Sequence, residues 1–190
     1  MTTIPAPPQT LSKVGRAAHD LGLAGLLGGT LFGRMALHPA VAAISDPRER
    51  GEVVNDAWRR YGTVNSLSLA AVVAGWAGAR AADASDRRLT PAERRLARVK
   101  DVLVAAVVVC GAASATEGVR FAGSAPGGAV PLTDGAHPSP ETPKRAARLK
   151  RRLNVLGGLT MAAEVGLVAV NAALAQEGFR RPALRRRLLG

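Results

Sequence analysis

Four ionisable residues lie inside or beside long apolar segments of this sequence: Arg34, His38, Glu117 and Glu164. An ionisable group at membrane depth is energetically expensive, so it is by default a candidate for binding or catalysis. Glu164 lies nearest the centre of its segment and could exchange a proton or hold a cation. Arg34 and His38 are four residues apart, which predicts that they share one face of a helix. We interpret these residues as candidates for an intramembrane polar pocket.

Each candidate also has a purely structural interpretation. Glu164 can be an ion-pair partner or a protonated carboxyl, since burial without a cation favours the neutral form. Arg34 lies near one end of its segment and can extend its guanidinium to the membrane surface. The sequence leaves both interpretations open and assigns no catalytic residue.

The sequence contains none of the motifs that mark common catalytic or cofactor sites. We find no nucleophile elbow, Walker loop, dinucleotide-binding fingerprint, HExxH or haem-attachment motif. His19 and His38 would lie about 28 Å apart along one helix at 1.5 Å per residue, too far to share a metal ion. The single cysteine, Cys110, allows no intramolecular disulfide. We therefore expect no cofactor and no metal.

Four apolar segments determine the predicted architecture: about residues 21–44, 63–82, 102–119 and 155–176. A bilayer core requires about 20 mostly apolar residues per helix. The stretches LSLAAVVAGWAGA and VLVAAVVVCGAA lack the charged face of a helix in a water-soluble bundle. We predict an all-α fold, an integral membrane four-helix bundle within residues 13–178.

Helix starts and flanking regions complete this architecture. Thr90-Pro91-Ala92-Glu93 has the spacing of a capping box, so a basic helical extension should lead into the third span, and Thr142-Pro143 should begin another before the fourth. A short interfacial helix is expected over 47–60, because Trp58 and Tyr61 suit the membrane surface. We predict a disordered tail over 1–12, a flexible loop over 123–141 and a basic tail over 179–190.

Small residues recur at four-residue spacing in each span, a pattern that allows helices in lipid to approach closely. The glycine repeat of the first segment is the strongest, and it also suits a homo-oligomer. The predicted packing glycines are Gly25, Gly29, Gly33, Gly75, Gly158 and Gly166.

The composition gives a formal net charge of +12, which suits either nucleic acid or an anionic membrane surface. Only 3% of the residues are aromatic and no nucleic-acid-binding motif is present, so we expect no nucleic acid. The basic residues cluster beside the apolar segments, as in juxtamembrane regions that bind anionic lipid headgroups. The predicted lipid or protein contacts are Arg94, Arg95, Arg98, Arg185, Arg186 and Arg187.

The distribution of basic residues favours cytoplasmic termini only weakly. With four spans, 14 Lys and Arg residues flank the ends on the side of the termini and 11 flank the opposite ends. The positive-inside rule therefore places both termini in the cytoplasm, although the basic cluster 144–152 would lie on the other side. A cleaved signal peptide over the first segment is a further alternative.

The sequence thus predicts a small multi-pass protein of the cytoplasmic membrane, without nucleotide-driven chemistry. Its high arginine content is typical of a GC-rich bacterial genome. It would be a structural component that binds lipid or a membrane or cytoplasmic protein partner. The alternative is a small membrane enzyme or transporter for an apolar substrate that uses Glu164, Arg34 and His38. A basic soluble protein that binds nucleic acid is the third hypothesis.

Overall fold

The computed structural model describes residues 8–81 and 89–180, with side chains described over 14–81 and 89–178. This part of the chain forms four long helices: α1 (Pro8–Phe32), α2 (Pro47–Ala81), α3 (Pro91–Ala122) and α4 (Lys144–Arg180). The all-α prediction is confirmed. Helix α1 begins inside the predicted 1–12 tail, and the remainder of that tail lies outside the described residues, as does 181–190.

Capping residues explain where two of the helices begin. Thr90 accepts a hydrogen bond from the Glu93 backbone N–H, and the Glu93 carboxylate accepts one from the Thr90 N–H. This reciprocal pair confirms the capping box predicted before α3. Asp46 accepts a bond from the backbone N–H of Arg48 at 2.8 Å, just before the first turn of α2.

A π-helical turn, Gly33–Leu37, extends α1 toward the short helical pieces His38–Ala40 and Val41–Ala43. Its cause is Pro39, which has no backbone N–H to donate and whose ring crowds the preceding turn. The His38 N–H accordingly donates to the carbonyl of Gly33, five residues earlier. The helix continues through the proline with one wider turn, and residues five apart, not four, come into line there.

The helices pair as two antiparallel hairpins, α1 with α2 and α3 with α4, and the hairpins meet mainly where α1 contacts α4. The glycines of α1 allow the first pairing. A Cβ on Gly29 would collide with the ring of Tyr61, and one on Gly33 would collide with Trp58. These aromatic side chains therefore pack directly against the α1 backbone, and α2 of the same chain covers the glycine stripe.

Two apolar clusters lie one above the other along the helices. The first, here the central core, joins all four helices through Leu23, Leu26, Val72, Val104, Val107, Ala163 and Leu167. The second, here the cap core, lies at the end of the molecule where α2 begins and α3 ends, and contains Val41, Val54, Phe121, Val130, Leu132, Ala146 and Leu149. The cap core depends on residues 123–143, here the cap segment.

The cap segment is packed onto the helices, which differs from the flexible loop predicted over 123–141. Val130 and Leu132 are fully buried in the cap core. The Leu132 N–H donates to the carbonyl of Pro47 at 2.9 Å, and Arg50 donates to the carbonyls of Leu132 and Thr133 at 3.3 and 2.7 Å. These long-range bonds satisfy backbone groups that a Gly- and Pro-rich segment cannot satisfy by itself.

The prediction of a short interfacial helix over 47–60 is wrong. Residues 47–81 form one uninterrupted helix of 35 residues, because neither Gly62 nor any other residue in it forces a break. Trp58 and Tyr61 face α1 instead of forming a separate anchor.

Within residues 8–81 and 89–180, two helices, α3 and α4, are long and apolar enough to cross a membrane. In α3 the most apolar 18-residue window has a mean hydropathy of 1.9, and in α4 the value is 1.7. This is fewer than the four spans predicted from the sequence.

Candidate functional site

Arg34 joins α1 to α4 at the boundary between the central core and the cap core. Its guanidinium donates a hydrogen bond to the backbone carbonyl of Asn154 at 2.7 Å. The missing side chains of Gly157 and Gly158 make room for it, since a Cβ on Gly157 would lie 3.1 Å from the Arg34 Nη2. The guanidinium therefore contacts the neighbouring helix, in a half-buried position.

His38 faces a different helix from Arg34, because the π-helical turn rotates it away from the face expected at four-residue spacing. Its Nε2 accepts a hydrogen bond from the Trp58 indole N–H at 3.3 Å, and its carbonyl accepts the Gly135 N–H at 2.9 Å. A side chain on Gly135 would collide with His38. His38 thus ties α2 and the cap segment to the end of α1.

Asn154 and Asp134 connect the cap segment to this junction. The Asn154 amide donates to the carbonyl of Ala136 at 2.8 Å. The Asp134 carboxylate accepts the N–H groups of Ala136 and His137 and contacts the His137 imidazole at 2.8 Å. Although burial opposes ionisation, these hydrogen bonds lower the pKa of Asp134. The result is a fixed negative charge beside Arg34 and Lys150.

Lys150 is a buried cation at this end of the molecule. Its ammonium lies 5.5 Å from the centre of the Phe121 ring, and the residue is 5% exposed. Burial lowers its pKa to about 8; the Asp134 charge opposes this shift and the Arg34 charge reinforces it. Arg34, Lys150 and Asp134 thus form one electrostatic group, in which Lys150 and Asp134 were not among the predicted site residues. Their spacing in the sequence gives no signal, because their proximity depends on the fold of the cap segment.

Glu164 lies in the central core, away from that group. It is 1% exposed and hydrogen-bonds the Thr30 side chain, while its Oε2 has no hydrogen-bond partner in the described part of the chain. It follows Gly157 by seven residues, or about 10 Å along the helix axis at 1.5 Å per residue. The structure therefore does not bring Glu164 into the group formed around Arg34.

Glu117 lies at a third position, near the end of α3. Its carboxylate pairs with Arg120 at 3.0 Å on the same helix. The four candidate residues are thus distributed over separate contacts, with only Arg34 and His38 at one junction. The arrangement holds helices together by charge and hydrogen bonds.

A second polar network lies at the opposite end of the central core. The Asn171 amide donates to Asp20 at 2.9 Å, and the Trp76 indole donates to Asp101 at 2.8 Å. Arg80 pairs with the same Asp101 at 3.2 Å. His19 hydrogen-bonds the Val72 carbonyl at 2.8 Å through Nδ1. These contacts join all four helices.

The predicted packing glycines lie against neighbouring helices, and the described basic residues lie near the start of α3. A Cβ on Gly25 would collide with Ser68, one on Gly75 with the α1 backbone at Gly15, and one on Gly166 would lie 3.2 Å from Leu103. A Cβ on Gly158 would lie 3.5 Å from the Arg34 Nη2. The arginines 94, 95 and 98 lie in the first turns of α3, and 185–187 lie outside the described residues.

Within residues 8–81 and 89–180, no cluster of three His, Cys, Asp or Glu side chains could hold a metal ion. Comparisons with family models, curated proteins and solved structures found no match to this chain.

Proposed function

We propose that this chain is an integral membrane protein with four spanning helices that acts as a structural, lipid- and partner-binding component of the cytoplasmic membrane. The observation that carries the proposal is the outward orientation of the most apolar helices. Only 11% of the apolar window of α3 and 22% of that of α4 is buried within the protein. The core helix of a water-soluble protein would instead bury such a window.

The surface around the central core supports the same conclusion. Large apolar side chains on all four helices point outward within a few residues of the buried cluster, including Leu21, Leu67, Val102, Val109, Leu159 and Val165. On a soluble monomer, exposed large apolar side chains are normally scattered singly, whereas here they occur on all four helices beside one core. Lipid chains are the medium in which such a belt is stable.

Helices α2 and α4 are longer than a bilayer core is thick. Helices α2 and α4, of 35 and 37 residues, are about 50 Å long at 1.5 Å per residue, whereas a bilayer core is about 30 Å thick. With the bilayer around the central core, as we propose, this surplus leaves the cap core outside the hydrocarbon region. In the same arrangement Arg94, Arg95 and Arg98, at the other end, would lie within reach of anionic headgroups.

The orientation that we propose has both termini in the cytoplasm. The start of α1 and the end of α4 lie at the same end of the molecule, as four crossings require. More Lys and Arg residues flank this end than the cap end, 14 against 11.

Membrane extraction tests the proposal. The full-length chain, expressed in a bacterial host, should remain in the membrane pellet after washing at high salt and then at alkaline pH, and should dissolve only with detergent. Release into the supernatant by either wash would contradict an integral membrane protein.

Lipid analysis tests the basic extension of α3. Replacing Arg94, Arg95 and Arg98 with Gln should lower the ratio of anionic to zwitterionic phospholipid that copurifies with the protein. Each lost charge removes about 1 kcal/mol of attraction to an anionic surface. An unchanged ratio would contradict headgroup binding at this extension.

A further inference from the structure

A groove of about 740 Å³ lies on the outer surface of the cap end, where the cap segment leads into α4. Four basic side chains of α4 line one wall: Lys144, Arg148, Arg151 and Arg152. Ser139 and Thr142 contribute from the cap segment. We call this feature the basic groove.

The four cations lie on one face of α4 because they are spaced by four, three and one residues. Within the described residues, none of the four has a carboxylate at ion-pair distance. Arg151 donates a hydrogen bond to the carbonyl of Ala147, at 3.4 Å. By contrast, Arg59, Arg60 and Arg120, at the same end of the molecule, all pair with carboxylates. The basic groove therefore retains its positive charge.

The position of these charges is unfavourable in the absence of an anion. The first turn of α4 carries no acidic residue, and the groove-lining Lys144 lies in it, at the positive end of the helix dipole. Like charges four residues apart, as at 144 and 148, also repel each other. A bound anion would relieve both effects.

The surface that follows the basic groove indicates the kind of anion. After Arg152, the exposed side chains of Val155 and Leu159 continue along the helix toward the lipid-facing belt. They follow at three and seven residues, on the face of Arg152. A charged groove leading to an exposed apolar stripe matches a molecule with an anionic head and an acyl chain.

We propose that the basic groove binds the phosphate group of an anionic phospholipid, with its acyl chain along Val155 and Leu159. Paired arginines suit a phosphate because each guanidinium presents its donors in a planar fork. This inference rests on the proposed membrane location, since it requires the groove to lie at headgroup level. It also accounts for the basic cluster 144–152 at the end opposite the termini, as a binding site instead of a topology signal.

Lipid titration in detergent tests the inference on the full-length protein. The probes are short-chain phosphatidylglycerol and phosphatidylcholine, at about 0.3 M salt so that long-range attraction is screened. The double variant R148Q/R152Q should weaken phosphatidylglycerol binding by about tenfold or more, because two charge-assisted bonds to phosphate are lost. Phosphatidylcholine binding should be weak and unaffected by the substitutions.

The matched control is R48Q/R145Q, which removes the same charge at the same end. Arg48 and Arg145 are exposed and do not line the groove. The control should retain affinity within about twofold of the parent protein, because its charges do not touch the phosphate. Equal losses in both variants, or no loss in R148Q/R152Q, would overturn the inference.

A further arm distinguishes a lipid from a free phosphate. Pyrophosphate should compete with phosphatidylglycerol only weakly, since it lacks the acyl chain that contacts Val155 and Leu159. Pyrophosphate binding that is as tight as lipid binding would overturn the assignment to a lipid. Membrane extraction of R148Q/R152Q separates the two proposals, because loss of lipid affinity with retained integration concerns the groove alone.

Discussion

The guanidinium of Arg34 donates a hydrogen bond to the backbone carbonyl of Asn154 at 2.7 Å, across the contact between the two hairpins. The same Asn154 holds the cap segment through the carbonyl of Ala136. One arginine on α1 therefore connects the helix pairing to the cap. The apolar segment 21–44 carries Arg34 because its guanidinium hydrogen-bonds a neighbouring helix.

Substitution of Arg34 by Met should destabilise the fold. The substitution keeps an unbranched side chain but removes the charged donor to Asn154. A hydrogen bond that involves a charged group contributes about 1.5–3 kcal/mol to the free energy of unfolding. Thermal unfolding in detergent should show a lower Tm for R34M than for the control R48Q, whose side chain is exposed. Equal Tm values for R34M and the parent protein would contradict a stabilising contact with Asn154.

Two neighbouring glycines of α1 should respond oppositely to alanine. A Cβ on Gly29 would collide with the Tyr61 ring, whereas one on Gly28 meets nothing within 4 Å. G29A should therefore lower the free energy of unfolding by about 1–3 kcal/mol through overpacking. G28A should leave it unchanged or raise it by up to about 1 kcal/mol through helix propensity. Denaturant titration in detergent measures both, and equal effects would contradict the observed pairing of α1 with α2.

Lys150 should make the stability depend on pH. Its pKa is about 8 in the folded protein against 10.5 in the unfolded chain. Between these values the unfolded state binds the proton and the folded state does not, so stability should rise with pH across this interval and be lowest below it. Tm measured from about pH 7 to about pH 10.5 should rise more in the parent protein than in K150M. Parallel pH profiles would contradict a buried ammonium.

Glu164 should be dispensable for folding. One of its carboxylate oxygens is buried and has no hydrogen-bond partner among the described residues, so an apolar group of similar size removes an unsatisfied atom. We expect E164M to unfold at the same Tm as the parent protein or above it, in detergent. A clear fall in Tm would show that Glu164 makes a stabilising interaction beyond its bond to Thr30.

Local signals in the sequence predicted the helices and some of their boundaries. Thr90 and Glu93 marked the start of α3 because a capping box requires only neighbouring residues. The apolar segments predicted long helices, since their period and length are local properties. Trp58 suggested a surface helix, because the sequence does not show that its ring packs against Gly33 of another element.

The site was less predictable because it depends on contacts between distant residues. Spacing by four predicted that Arg34 and His38 share one helix face. Pro39 introduces a π-helical turn, so the two side chains contact different helices. Composition indicated a flexible loop where Val130 and Leu132 are buried. Two apolar residues in a Gly- and Pro-rich segment show no periodicity, so only the fold reveals that they complete the cap core.

Cysteine labelling tests most directly whether the apolar belt around the central core lies in a bilayer. With Cys110 replaced by Ser, single cysteines at Arg48, Glu141 and Arg95, all exposed in the structure, report the two ends of the molecule. In sealed vesicles, a membrane-impermeant maleimide should label positions 48 and 141 from one side and position 95 only from the other. Labelling of all three positions from the same side would contradict the account.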